Sequence, residues 1–145
     1  NVAILNGSIL GQNDKIEVLV TDPTNNLAAE GFLDIAPVDP QIVFYENDPY
    51  YGHIFDMAIT SSFNLKTDEV QILAAPYFFT KERSGLLKYE WRLNNTSVPS
   101  LSGSRTAIFR KPEGESGQSV ISLQMENTNR ILQQADGRLI MNFEN

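Results

Sequence analysis

Segments near the start of this chain recur near its end, and this repeat limits the folds open to the chain more than any other feature. The aligned segments are Val2–Leu5 with Thr106–Phe109, Ile16–Val20 with Ile121–Met125, and Ala29–Leu33 with Ala135–Leu139. Ile16 and Ile121 are 105 positions apart, and the offset drifts by one where a hairpin loop takes an extra residue. A repeat of that length matches one β-sandwich domain rather than a short solenoid unit. We therefore expect the tail of one sandwich followed by a complete second sandwich.

Prolines mark the boundary between the two predicted modules, at Ala36–Pro40. Proline stiffens the chain and removes the N–H that a continuous sheet ladder needs. We assign residues 1–36 to the C-terminal strands of a partial immunoglobulin-like module, 37–40 to a proline-containing linker and 41–145 to a complete module. A semi-rigid joint of this kind suits a rod of tandem domains.

A period of two predicts the strands of the partial module. Apolar side chains alternate along Ile16–Val20, which is typical of a strand with one buried face. Asp22–Asn26 is a turn cluster, and Leu27–Ile35 is the returning strand, with Gly31 as a candidate β-bulge. With Val2–Leu5 this makes three strands.

The complete module has seven predicted strands and no predicted helix. The strands are Gln41–Glu46, Phe63–Leu65, Glu69–Ala75, Lys88–Leu93, Thr106–Arg110, Ser119–Met125 and Gly137–Phe143. Asn47–Pro49 and Asn94–Asn95 are predicted turns, and Tyr50–His53 is a predicted aromatic loop. Short strands separated by turn signals describe an immunoglobulin-like Greek-key β-sandwich, so the predicted fold class is all-β.

The composition excludes several classes of protein. The net charge is −7 and the 11 basic residues are scattered, whereas nucleic-acid binding needs clustered Lys and Arg. Cysteine is absent, which excludes a disulfide scaffold, Cys-ligated zinc and thiol catalysis. No run approaches the roughly 18 apolar residues of a membrane helix. We expect no nucleic-acid partner and no membrane insertion by this stretch of chain.

Three segments carry a resemblance to known domains. Tyr89–Asn95 resembles the third strand of immunoglobulin-like and PKD-like domains, in which a Tyr-x-Trp run places the Trp in the core. Gly117–Leu123 resembles their penultimate strand, and Tyr45–Gly52 resembles the opening segment of tandem-domain proteins exported by bacteria. The paired cysteines of antibody domains are absent, and Asn94–Thr96 replaces the PKD-type Gly-Asp-Gly. The resemblance implies a surface or extracellular structural protein, with Trp91 in the core.

No residue pattern points to catalysis. His53 is the only histidine, and no serine lies in a Gly-x-Ser-x-Gly elbow. The carboxylates lie in turns and at strand edges, where solvation and Asx turns account for them. We predict that the protein is not an enzyme and has no catalytic residue.

A calcium site at the joint is the alternative use of the acidic residues. Tandem sandwich modules often bind Ca²⁺ where oxygens from two domains converge. Asp39 lies in the joint, and Asn13–Asp14 or Glu46–Asp48 would fold towards it. Because the chain has no Asp-x-Asp-x-Asp loop, solvated acidic turns are the favoured interpretation, and no cofactor or metal ligand is assigned.

Aromatic residues are concentrated in the first half of the complete module. Seven of them form a set that could bind a ligand: Tyr45, Tyr50, Tyr51, Phe55, Tyr77, Phe78 and Phe79. Packing in a core or between domains is the favoured role for most of these rings. Tyr50 and Tyr51 lie in a predicted loop, and they are the candidate ligand-binding residues if the module binds carbohydrate or protein.

The favoured function is a non-enzymatic structural or adhesive module of an extracellular or cell-surface protein. The inward residues of the partial module, such as Ile16, Val18, Val20 and Leu33, have no opposing sheet within residues 1–36. Leaving four such side chains in water costs about 6–12 kcal/mol, at about 1.5–3 kcal/mol each. We expect another copy of the chain, or a cleaved upstream segment of a longer precursor, to complete this module by adding strands. Head-to-tail completion between copies would build a filament.

Overall fold

The computed structural model describes residues 12–80, 86–130 and 133–144. The chain divides into two compact units, Asn1–Asp39 and Pro40–Asn145, which are described separately below. The predicted strand Val2–Leu5 lies outside the described residues. Strands account for most of the described chain, and its one helical element is a 3₁₀ turn at Pro99–Leu101. The all-β prediction is confirmed.

The first unit contains an antiparallel hairpin of β1 (Asp14–Asp22) and β2 (Leu27–Ile35). The predicted turn joins them: the Asp22 carboxylate accepts the Thr24 backbone N–H at 2.9 Å and the Asn25 side-chain amide at 2.7 Å. These hydrogen bonds, the Asn25 bond foremost, hold the pKa of Asp22 below its ordinary value.

The expectation of a bulge at Gly31 is wrong. Pairing runs without a shift from Asp14 opposite Ile35 to Asp22 opposite Leu27, and Gly31 lies opposite Val18 in the regular ladder. A glycine in an unbulged strand weakens it and commonly marks a place where another group approaches closely.

Nine strands lie in the described part of the second unit. They are β3 (Gln41–Asp48), β4 (Gly52–Ile59), β5 (Ser62–Leu65), β6 (Glu69–Tyr77), β7 (Leu87–Leu93), β8 (Thr96–Ser97), β9 (Thr106–Arg110), β10 (Gly117–Asn127) and β11 (Gln134–Phe143). The seven predicted strands of this module are all present, most of them longer than predicted. The Asn94–Asn95 turn is confirmed as well: φ is 49° and 66° at these residues, the left-handed geometry that two-residue hairpin loops require.

These strands form two sheets that share one core, a β-sandwich arrangement. The first sheet has four strands in the order β4-β3-β6-β9, and the second has five in the order β5-β11-β10-β7-β8. All neighbours are antiparallel except β5 and β11, which pair in parallel. The core residues are Phe44, Val70, Ile72, Ala74, Ala107 and Phe109 from the first sheet, and Leu65, Tyr89, Trp91, Ile121, Leu123, Met125, Leu139, Met141 and Phe143 from the second.

Trp91 occupies the core as predicted, with none of its surface exposed. Its ring centroid lies 6.1 Å from that of Phe44 and 5.8 Å from that of Phe109, so it contacts the opposing sheet through two rings. The indole Nε1–H donates to the Ser104 carbonyl oxygen at 2.8 Å. The one polar atom of this side chain is therefore satisfied inside the sandwich.

β4 is not predicted from the sequence, which instead indicates a turn at Asn47–Pro49 and a loop through His53. In the structure β3 continues to Asp48, and His53 lies within β4. The register between β3 and β4 shifts: between its paired residues β3 has only Glu46, whereas β4 has the four residues 54–57. This bulge breaks the period-two pattern by which a strand is recognised.

Candidate binding surfaces

The turn between β3 and β4 presents two tyrosines to solvent. One oxygen of the Asp48 carboxylate accepts the backbone N–H of Tyr50 at 2.7 Å and of Tyr51 at 2.9 Å. Gly52 follows with a φ of 74°, a conformation that favours glycine. This Asx turn leaves the side chains of Tyr50 and Tyr51 93% and 87% exposed. Their expected exposure is confirmed, and their role in ligand binding stays a prediction.

A connected set of rings lies beside this turn, on the outer face of the four-stranded sheet. Phe44 points into the core, so its neighbour Tyr45 points outward. The Tyr45 and Phe55 centroids are 5.1 Å apart, and Phe55 and His53 are 5.4 Å apart, both edge to face. Tyr45 also shares a 3.1 Å hydroxyl–hydroxyl hydrogen bond with Tyr77. With Phe78, 6.4 Å from Tyr77, these five residues form what we call the aromatic chain.

Several rings of the aromatic chain remain open to solvent. Phe55, Tyr77 and Phe78 are all exposed, whereas Tyr45 is buried beneath its neighbours. Met57, on the same edge strand as Phe55, is exposed too. Contiguous exposed apolar surface commonly marks an interaction site, and flat rings of this kind stack on sugar faces or on other side chains. His53 belongs to the aromatic chain, although the sequence does not group it with the other rings. Its neighbours along the chain do not indicate the contact with Phe55.

The tyrosine pair at the centre of the aromatic chain predicts a pH effect. The hydrogen bond to Tyr77, with burial as a smaller cause, raises the pKa of Tyr45 above the ordinary value of 10.0. Because the folded-state pKa is the higher one, this contribution to stability is present below about pH 10 and is lost as pH rises through the folded pKa. We expect Tyr77→Phe to lower the pKa of Tyr45, as measured by absorbance titration of tyrosinate. Tyr50→Phe is the control, and a Tyr45 titration unchanged in Tyr77→Phe would contradict the assignment.

Three acidic residues of the second unit have local structural partners. Asp48 caps its own turn, Glu69 pairs with Arg110 at 2.7 Å, and Asp68 pairs with Lys111 at 3.3 Å. Among the residues that the structure describes, no group of three or more His, Cys, Asp or Glu side chains could hold a metal ion. The calcium site at Asp39 was the less favoured alternative, and no observation here tests it.

A shallow groove of about 260 Å³ lies on the outer face of the five-stranded sheet. Its polar lining residues are Arg92, Ser122, Gln124, Asp136 and Arg138. Arg92 pairs with Glu90 at 2.8 Å, and this contact lowers the pKa of Glu90 below its ordinary value. The groove is thus an open sheet surface with charged side chains, in which the charge of Arg92 is balanced by Glu90 beside it.

The third surface is one face of the β1–β2 hairpin, which we call the hairpin face. Its apolar residues are Ile16, Val18, Val20, Ala29, Gly31, Leu33 and Ile35, which the register places on the same side. Val18, Val20 and Leu33 are 54%, 63% and 57% exposed. An apolar face of this kind on a two-stranded sheet is stable only when something covers it.

Comparison of the chain with protein-family models, with curated proteins and with solved structures found no match. No helix in the described part of the chain is long and apolar enough to cross a membrane.

Proposed function

We propose that this chain is a non-enzymatic structural or adhesive part of an extracellular or cell-surface protein built from tandem immunoglobulin-like domains. One observation carries this: the hairpins β1–β2 and β10–β11 align in sequence and pair in the same register. Ile16 opposite Leu33 corresponds to Ile121 opposite Leu139. A tandem array repeats one supersecondary unit from module to module, and two hairpins with one register are what such an array requires.

The surroundings of the titratable side chains support a structural role. The His53 ring packs edge-on against Phe55, and one carboxylate oxygen of Asp48 accepts hydrogen bonds from two backbone N–H groups. Catalysis needs a base aligned with a nucleophile or with a substrate proton inside a concave site. His53 instead lies on an edge strand at the outer face of a sheet, which favours packing over proton transfer.

Surface labelling of cells that carry the parent gene tests the location. Antibodies raised against the folded chain are expected to label intact cells, and external protease is expected to remove the label. A cytoplasmic protein of the same cells, probed in parallel, is the control for leakage. Labelling that appears only after the cells are permeabilised would place the protein inside and would refute an adhesive role.

A second candidate function is binding of carbohydrate or protein at Tyr50 and Tyr51. It is favoured by a specific observation: a capped turn holds two neighbouring rings almost fully in water, next to the exposed rings of the aromatic chain. Ordered turns that display tyrosines expose large contact surfaces at a low cost in conformational entropy.

Binding of the full chain to a glycan array, and to surface extracts in pull-down, tests this second function. We expect Tyr50→Ala with Tyr51→Ala to reduce a specific signal by at least about tenfold, since aromatic anchors dominate such contacts. Phe32→Ala, which removes an exposed ring from the first unit, is the matched control. A signal that survives the double substitution, or that Phe32→Ala removes equally, excludes the tyrosine pair as the binding site.

A further inference from the structure

The packing around Gly137 explains why this position of the β10–β11 hairpin is a glycine. A Cβ atom built on Gly137 would lie 2.5 Å from Cζ and 2.6 Å from Cε2 of Phe44, and 3.4 Å from Cβ of Ile42. Both residues belong to β3, in the sheet opposite β11. Gly137 therefore marks the place where the opposing sheet sets a phenylalanine ring directly on the backbone of the hairpin.

Gly31 is the counterpart of Gly137 and has no such neighbour. Val18 opposite Gly31 corresponds to Leu123 opposite Gly137 when offsets of 105 and 106 are applied. Apart from its chain neighbours, no atom of the described residues lies within 4 Å of a Cβ built on Gly31. A glycine weakens a strand, and in β2 no contact with the described residues explains it. A covering ring, like the one over Gly137, would explain it.

The rest of the hairpin face shows the same contrast. Leu123, Met125 and Leu139 are at most 1% exposed beneath the four-stranded sheet. Their counterparts Val18, Val20 and Leu33 are each more than half exposed. The same chain thus shows what covers a hairpin with this register and this apolar pattern.

The opposite face of the β1–β2 hairpin carries four charged residues, Lys15, Glu17, Glu30 and Asp34. Leu19 and Phe32 lie on that face too, and both are exposed. In β10–β11 the corresponding face is polar and points to solvent, as Gln124 and Asp136 are exposed. The opposite face thus has charges along its length, whereas the hairpin face has them only at its ends, at Asp14 and Asp22. The hairpin face is therefore the one to be covered.

We infer that the hairpin face is a docking surface for a sheet-forming segment patterned like residues 40–104 of this chain, with a phenylalanine in the place of Phe44 seated on Gly31. This rests on the tandem organisation proposed above and names the partner that it requires. A second copy of the chain is not that partner, because its own Phe44 is already seated on Gly137 and exchange would uncover another hairpin. The occupant is a segment that supplies counterparts of β3, β4, β6 and β7, and that lacks the final hairpin.

The test adds such a segment to the full chain. A copy of residues 40–104 is joined directly to Asn1, which keeps the spacing because Val2 aligns with Thr106. Hydrogen–deuterium exchange of the β1–β2 amides is expected to slow by at least about tenfold relative to the unmodified chain, since covered strands open only with their unit. Phe44→Ala in the added copy alone is expected to reverse most of this slowing. Gly31→Ala is expected to do the same in the extended chain and to have no effect in the unmodified one.

A second version guards against an error at the join. It connects a copy of residues 40–116 to Gln12, so that Ile16 of β1 follows the added segment at the same distance along the chain at which Ile121 of β10 follows residue 116. Failure of both versions to slow exchange in β1–β2 would overturn the inference, whether or not the added segment folds, because the hairpin is supposed to complete it.

Light scattering of the unmodified chain tests the alternative occupant. A dimer with protected β1–β2 amides would show that a second copy covers the face. Protection in the extended chain together with an intracellular parent protein would refute the proposed function and leave this inference standing.

Discussion

Trp91→Ala is expected to lower the free energy of unfolding of the second unit by about 3–5 kcal/mol, the usual cost of truncating a large buried ring. The ring has no exposed surface and packs between the sheets against Phe44 and Phe109. The substitution also leaves the Ser104 carbonyl oxygen without the indole donor that now lies 2.8 Å away. Because Trp91 is the only tryptophan, unfolding of this variant has to be followed by far-ultraviolet circular dichroism or calorimetry rather than by fluorescence.

Two further variants separate the packing of Trp91 from its hydrogen bond. Trp91→Phe keeps an aromatic ring and removes the donor, so the loss is expected to be smaller, about 1–3 kcal/mol from the unsatisfied carbonyl and the reduced volume. Tyr50→Ala removes an exposed ring and is expected to stay within about 0.5 kcal/mol of the unsubstituted chain. A Trp91→Ala variant as stable as Tyr50→Ala would show that the two sheets do not share this core.

The second large effect distinguishes two glycines that align in sequence. Gly137→Ala is expected to destabilise the second unit by about 1–3 kcal/mol, because the new methyl group overlaps the Phe44 ring and a packed core yields only with strain. That ring cannot swing away cheaply, since it is buried and packs against Trp91. Gly31→Ala in the same chain is expected to be neutral or slightly stabilising, because its Cβ meets open space and alanine suits a strand better than glycine. Urea denaturation with tryptophan fluorescence measures the first variant, and hydrogen exchange in β1–β2 measures the second.

A double-mutant cycle tests the cause of this difference. If the new methyl group of Gly137→Ala overlaps the Phe44 ring, the loss in free energy of unfolding is expected to be much smaller in a Phe44→Leu background, since the smaller side chain leaves room. Additive losses in the double variant would instead assign the effect to the β11 backbone. Equal losses for Gly31→Ala and Gly137→Ala would contradict the difference in surroundings on which the docking inference depends.

Patterns of local origin were readable from the sequence. The seven predicted strands of the second unit are present, and so is the Asn94–Asn95 turn, because alternation and turn chemistry depend on residues close in the chain. β4 was missed because its bulge opposite Glu46 disrupts the alternation. The expectation at Gly31 was wrong because a glycine within a strand does not by itself distinguish a bulge from a regular ladder, and the pairing of β1 with β2 decides between them.

The candidate binding surface was only partly readable for a related reason. Exposure of Tyr50 and Tyr51 follows from a local Asx turn on Asp48, and the sequence indicates it. The contact between Tyr45 and Tyr77 joins residues 32 positions apart, and the distance depends on how β3 pairs with β6. No pattern along the chain specifies that pairing.

The sequence by itself determined that this chain is all-β, where most of its strands lie, that Trp91 is buried, and that two of its segments resemble each other. The tertiary structure decided which of the two similar hairpins is covered. Val18 and Leu123 occupy corresponding positions with similar side chains, yet one is half exposed and the other is in the core. Burial depends on which sheet packs across the face and not on the residue itself. For the same reason the two glycines, aligned in sequence, are expected to differ in their tolerance for a methyl group.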